Sequence, residues 1–209
     1  TISDERQRLM QDMHDGLGSS LISAIHSVES GGMSDDKVSQ LLKSCLDDLK
    51  LTIDSMEPLE DDLLLLLATL RYRLGPRLES SGVALRWNVQ ELPALDWLDP
   101  TSALHILRIV QESIANILRH TRASEIRVAT AADASGVQVT IEDNGQGFQV
   151  EKAMNDAKGR GMQNQQRRAQ LVGGRVSWRS GPEGTLFTLW LPLARGERAG
   201  RANPGPAVA

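Results

Sequence analysis

The chain reads as two units, an all-α helical hairpin over residues 1–58 and an α+β sandwich over residues 59–193, followed by a tail at 194–209 expected to be disordered. Three observations predict this. Apolar residues recur at helical three- and four-residue steps through the first part of the chain, period-two alternation begins only after Gly82, and beyond it strand-like and helix-like segments mix, punctuated by glycine. A sheet covered by helices on one face is the layer arrangement that such a mixture builds.

Leu9, Met10, Met13, Leu17, Leu21, Ile25 and Val28 mark the first helix, which Ser30-Gly31-Gly32 ends. Ser34-Asp35-Asp36 offers capping side chains for a second helix through Val38, Leu42, Cys45, Leu49, Ile53 and Met56, stopping near Pro58. Two helices of this length cannot bury both stripes against each other, so pairing of two hairpins as a four-helix bundle, and hence a homodimer, is expected.

Asp61 or Asp62 then caps a helix from Leu63 to Leu78, Ser80-Ser81-Gly82 breaks it, and Val83 to Val89 alternates as a strand. Asp99 followed by Pro100 is an N-cap with proline at the first helical position, opening a helix to about His120. Strands follow at Glu125 to Thr130 and Gly136 to Glu142, the second directing Val137, Val139 and Ile141 inward. A helix is expected over Gly161 to Leu171, and Gly173-Gly174 introduces the final strands, Arg175 to Arg179 and Thr185 to Leu191. From Ala194 the chain is Gly, Pro, Ala and Arg without periodicity.

With 23 Lys and Arg against 27 Asp and Glu, a net charge of -4, the chain lacks the basic excess of a nucleic-acid binder. Its single cysteine, Cys45, excludes an internal disulfide framework and agrees with a reducing cytoplasm. The apolar run from Leu63 to Leu70 is far short of the roughly 20 residues a bilayer span needs. The start at Thr1 carries no signal-peptide pattern, so the chain is expected to be a soluble fragment of a parent whose missing N-terminal region anchors it in the inner membrane.

Four polar or glycine-rich segments stand at element boundaries. Glu112, Asn116 and His120 are four residues apart and share one face of a helix. Asp143-Asn144-Gly145-Gln146-Gly147-Phe148 leaves a strand with two glycines one residue apart, Gly159-Arg160-Gly161-Met162 precedes a helix whose N-terminus can hold phosphate, and Gly181-Pro182-Glu183-Gly184-Thr185 joins the last two strands. Taken singly, these are equally a solvated helix face, a tight turn, a flexible loop and a hairpin.

In this order and at these boundaries, the four segments resemble the N, G1, G2 and G3 boxes of the GHKL (Bergerat, HATPase_c) ATPase superfamily over roughly Thr101 to Leu193. The resemblance implies an ATP site in which Asn116 and Glu112 serve Mg²⁺ and Asp143 accepts from the adenine amino group. Gly145 and Gly147 would allow close approach of backbone to nucleotide, with Gly159 and Gly161 flanking a lid. Met162 and Thr185 would lie at the nucleotide, and Arg119 and His120 would contact phosphate.

The segment Glu5 to Gly18 around His14-Asp15 resembles the phosphoacceptor box of the HisKA_3 class of bacterial sensor histidine kinases, the type of the nitrate and membrane-fluidity sensors. That resemblance implies autophosphorylation of His14 from ATP, with Asp15 orienting the ring and taking its other proton, then transfer to an aspartate of a response-regulator receiver domain. Ser19 stands where many relatives carry a Gln or Asn that positions water for dephosphorylation, which counts against phosphatase activity. Met162 stands where Leu is more usual, a volume-conserving change. The alternatives are a serine kinase or ATP switch on the same nucleotide pocket, and a degenerate kinase acting as a scaffold.

Overall fold

The computed structural model describes residues 2–56, 62–155 and 160–194. The 58/59 boundary, Gly159 and nearly all of the 194–209 tail lie outside the described residues. α1 (Ile2–Glu29) and α2 (Asp35–Ser55) form the expected hairpin, turned at Gly31, whose φ of +68° favours glycine. Ser34 takes the N-cap position of α2, yet its side chain makes no capping hydrogen bond; the acidic first-turn residues Asp35 and Asp36 face the helix's positive end instead.

α3 (Leu63–Ser80) starts on Asp62, whose carboxylate accepts from the N–H groups of Leu64 and Leu65, and stops before Gly82. α4 (Pro100–His120) is capped by Asp99, which accepts from the Ser102 N–H at 2.7 Å. The strands are β1 (Ala84–Asn88), β2 (Glu125–Ala132), β3 (Gly136–Asp143), β4 (Arg175–Gly181) and β5 (Gly184–Pro192), in the spatial order β1-β2-β3-β5-β4. β1 runs parallel to β2, and every other neighbouring pair is antiparallel. Two more helices, α5 (Val150–Asn155) and α6 (Arg160–Leu171), lie between β3 and β4. α5 is an element the sequence reading does not include; it spans six residues and buries none of them, so it leaves no apolar period to read.

One face of the sheet carries the core. Val137, Val139 and Ile141 are wholly buried as expected, together with Ile126, Leu189 and Leu191 and, from the helices, Leu66, Leu67, Ile106 and Ile109. The helical face of α4 that buries Ile109, Ile114 and Ile117 leaves Glu112, Asn116 and His120 on its other side.

The hairpin packs on this region through α2. Asp54, 4% exposed, forms a two-pronged ion pair with Arg73 of α3, and Arg6 donates to the Met56 carbonyl at 3.1 Å. A second cavity of about 230 Å³ opens where α2, α4 and α6 meet, lined by Asp48, Arg108, Glu112 and Arg168. No helix among the described residues is long and apolar enough to cross a membrane.

Candidate nucleotide site and phosphoacceptor

A cavity of about 530 Å³ lies between the C-terminal half of α4 and the end of the sheet, a volume ordinary for a cofactor-sized ligand. Glu112, Asn116, Arg119, His120, Asp143, Gly161, Met162 and Thr185 all line it, so the structure gathers most of the sequence-derived candidates into one site. Sequence reasoning passed over Trp178 and Phe187, whose rings meet at 5.6 Å with a 56° tilt and form its apolar wall. The signal for them was period two: both point to the same sheet face as Ile141.

Asp143 ends β3 and is 4% exposed. Its Oδ1 accepts from the Gly145 N–H at 2.9 Å, which pins the turn, while Oδ2 is buried and has no hydrogen-bond partner among the described residues. Burial pushes the carboxyl above the usual Asp range, and nearby Glu142 adds to the rise; the Gly145 N–H and the neighbours Thr185 and Thr121 oppose it. A buried acceptor atom without a partner at the wall of a cavity fits a ligand that brings an N–H.

Both glycines of the turn are fixed by close approach. A Cβ at Gly145 would strike the carbonyl and side chain of Thr121, and one at Gly147 would strike the backbone of Gly181. The turn is tied further by Gln146, whose backbone N–H donates to the Thr121 carbonyl at 2.8 Å and whose side chain donates to the His120 carbonyl at 3.0 Å. Gly161 lets Glu112 lie against the start of α6, where a Cβ would stand 2.5 Å from Glu112 Oε1.

Arg119 clips the polar face of α4 together, donating to Asn116 Oδ1 at 2.9 Å and to Glu112 Oε1 at 3.2 Å. Two oxygens from residues one helical turn apart, Glu112 and Asn116, thus already converge on one cationic group. His120 lines the cavity and remains exposed.

His14 stands on the outer surface of α1 with its side chain 84% exposed. Its Nδ1 is 3.6 Å from Asp15 Oδ1, too far for a hydrogen bond, and Asp15 instead accepts from Gln11 Nε2 at 3.3 Å. No hairpin residue lines the nucleotide cavity among the described residues, so His14 and the cavity are separate features of one chain.

Residues 101–195 match the family described as histidine kinase-, DNA gyrase B-, and HSP90-like ATPase. The sensor histidine kinase MctS of Rhizobium johnstonii is 26% identical over an alignment covering 92% of this chain and 44% of its own length. The sensor histidine kinase YxjM of Bacillus subtilis is 29% identical, with 92% of this chain and 48% of its own length covered. The chain therefore spans about half the length of these curated relatives, and the likeness includes the hairpin. Among solved structures, the histidine kinase domain from the Erythrobacter litoralis EL346 blue-light activated histidine kinase superposes with a TM-score of 0.61 at 17% identity, covering 91% of this chain and 94% of that one. Over most of its length the chain is thus similar to bacterial sensor histidine kinases and shares the fold of a histidine kinase domain, and its residues 101–195 match the histidine kinase-, DNA gyrase B- and HSP90-like ATPases.

Proposed function

We propose that this chain binds ATP, phosphorylates its own His14 and passes the phosphoryl group to a receiver-domain aspartate of a response regulator. One observation carries the reading: a cavity with a buried, unpartnered Asp143 oxygen shares a chain with a histidine set out in solvent on a helix surface. The first suits adenine recognition, because the adenine amino group donates where guanine presents a carbonyl oxygen. The second has no packing role, and the relatives named above are sensor histidine kinases.

Asn116 and Glu112 are the residues that would hold Mg²⁺. Among the described residues no cluster of three or more His, Cys, Asp or Glu can cage a metal alone, so a cation that keeps waters and shares phosphate oxygens fits this donor pair. Bound there, Mg²⁺ would neutralise charge on the triphosphate. Arg119 and His120 stand at the same end of the cavity and would contact phosphate, Arg119 releasing its present partners to do so. Gly161 and Met162 line the walls, Gly145 and Gly147 do not line the cavity but hold the turn after Asp143 against Thr121 and Gly181, and Gly159, outside the described residues, would flank the lid.

At His14, Nδ1 faces Asp15 and Nε2 faces away. In the Nδ1–H tautomer the Nε2 lone pair forms the N–P bond while the bond from the γ-phosphorus to its bridging oxygen breaks. The electron pair leaves with ADP, and the ring proton passes from Nδ1 to Asp15 after a closure of a few tenths of an ångström. The exposed hairpin stripe supports a homodimeric four-helix bundle, with residues 1–58 as the dimerisation and transfer unit and 59–193 as the ATP unit.

The test is incubation with γ-labelled ATP and Mg²⁺ followed by acid or alkali treatment, in wild type and His14→Ala. Label that survives alkali, is lost in acid and is absent from the variant is expected. Equal label in the variant overturns the assignment of His14, and binding of ATP without any label overturns the kinase reading.

A further inference from the structure

Strand register sets three polar side chains in one row at the cavity end of the sheet. Asp143 of β3 stands opposite Thr185 of β5, and Thr185 stands opposite Ser180 of β4. Asp143 and Thr185 line the cavity; Ser180 lies behind Thr185, half-buried, and does not. Ser180 Oγ accepts from the Phe148 N–H at 2.9 Å and lies 2.7 Å from Thr185 Oγ1.

A hydroxyl has one hydrogen to give. With Phe148 already donating to Ser180, the arrangement that uses every group sends the Ser180 hydrogen to Thr185 Oγ1. The opposite sense, Thr185 donating to Ser180, leaves the Ser180 hydrogen with no side-chain acceptor. The chain of donors therefore runs from Phe148 N–H through Ser180 to Thr185, and each link polarises the next. That sense leaves the Thr185 hydrogen for a ligand, on a residue that lines the cavity opposite the bare Asp143 oxygen.

We propose that Ser180 is a positioning residue for purine selectivity, acting through Thr185 to hold a hydrogen-bond donor beside the Asp143 acceptor. The adjacent donor and acceptor complement an adenine edge, which offers an accepting ring nitrogen next to a donating amino group. They oppose a guanine edge, where the ring nitrogen donates and the neighbouring oxygen accepts. Asp143 alone reads one of the two groups; Ser180 makes Thr185 read the other. Because Phe148 follows the Gly145-Gln146-Gly147 turn, the same hydroxyl also couples the position of that turn to the reading of the base. The inference rests on the adenine-nucleotide reading of the cavity given above.

The test compares equilibrium binding of ATP, 1-deaza-ATP, in which the accepting ring nitrogen is a C–H, and GTP to wild type, Ser180→Ala, Ser180→Thr and Thr185→Val. Wild type is expected to favour ATP over 1-deaza-ATP by about tenfold, the size of one hydrogen bond in a desolvated site. In Ser180→Ala the ratio should fall to about twofold or less, with the preference over GTP narrowed in parallel, and Ser180→Thr should restore both. Thr185→Val keeps the Phe148–Ser180 contact and should lose the ratio equally, which covers the case of an alanine variant that fails to fold. A wild-type ratio in both Ser180→Ala and Thr185→Val overturns the inference while leaving the ATP site intact. Wild type that binds no ATP overturns the adenine reading and the inference with it.

Discussion

The hairpin and the sheet-bearing region treat apolar surface in opposite ways. Around the sheet, Ile126, Ile141, Leu189 and Leu191 are sealed completely, and α3 and α4 close the layer with Leu66, Leu67 and Ile106. Along the hairpin, Met10, Leu21, Ile22, Ile25, Val28, Leu42, Leu46 and Ile53 remain 40% to 60% exposed in the single chain, while Leu9 and Leu51 join the core of the sheet-bearing region and Ala24 and Cys45 are buried apart from it. A sheet face covered by helices is finished within one chain; a two-helix hairpin has a seam left over. The chemistry divides the same way. The candidate nucleotide site is a concave cavity, whereas His14 stands out on a convex helix surface, suited to visiting another one.

The largest effect that tests this contrast is on association. Ile22→Asp with Ile25→Asp places two charges per protomer in the open seam and should convert a dimer to a monomer, weakening association by at least about a thousandfold, since each buried isoleucine contributes roughly 1.5–3 kcal/mol. Sedimentation reads it, and nucleotide binding should be unaffected. A variant that stays dimeric would break the contrast, because the seam would then serve no bundle.

Ile141→Ala is the converse experiment. It opens a cavity under the sheet and should lower the stability of the nucleotide-binding region by about 3–4 kcal/mol in a denaturant titration, with the dimer retained. Comparable loss of association would show that the two regions fold as one cooperative unit.

Asp143→Asn is the smallest and the most local. Asn places a donor where a donating amino group must fit, so ATP affinity should fall by roughly a hundredfold. Stability should move the other way. The folded-state carboxyl titrates above its unfolded value, so the folded protein loses stability as pH rises through that interval, and the loss persists at neutral pH. The Asn variant should therefore melt higher than wild type near pH 7, and the difference should vanish below the unfolded Asp pKa of about 4. An equal melting point at both pH values would mean that Asp143 is not held against its preference.

Much of the fold was legible because its elements are periodic. α1, α2, α3, α4, α6 and all five strands follow from apolar spacing and from punctuation at Gly31, Gly82, Asp99-Pro100 and Gly173-Gly174. α5 was not, since a six-residue helix that buries nothing imposes no pattern. The lining of the cavity was legible where the family resemblance named its residues, as at Asn116 and Asp143. It was illegible where the role arises from register: nothing near Ser180 in sequence says that it stands behind Thr185, and nothing near Arg119 says that it will join Glu112 to Asn116. The Asp15 contact with His14 fell short for a related reason, because Gln11, one turn earlier on α1, takes that carboxylate first.

The Asp54–Arg73 pair joins the end of α2 to α3, one on each side of residues 57–61. To swing the hairpin away from the sheet-bearing region is to break this ion pair and bring a nearly buried carboxylate into solvent, so the junction is held by a specific contact that whatever displaces the hairpin must replace.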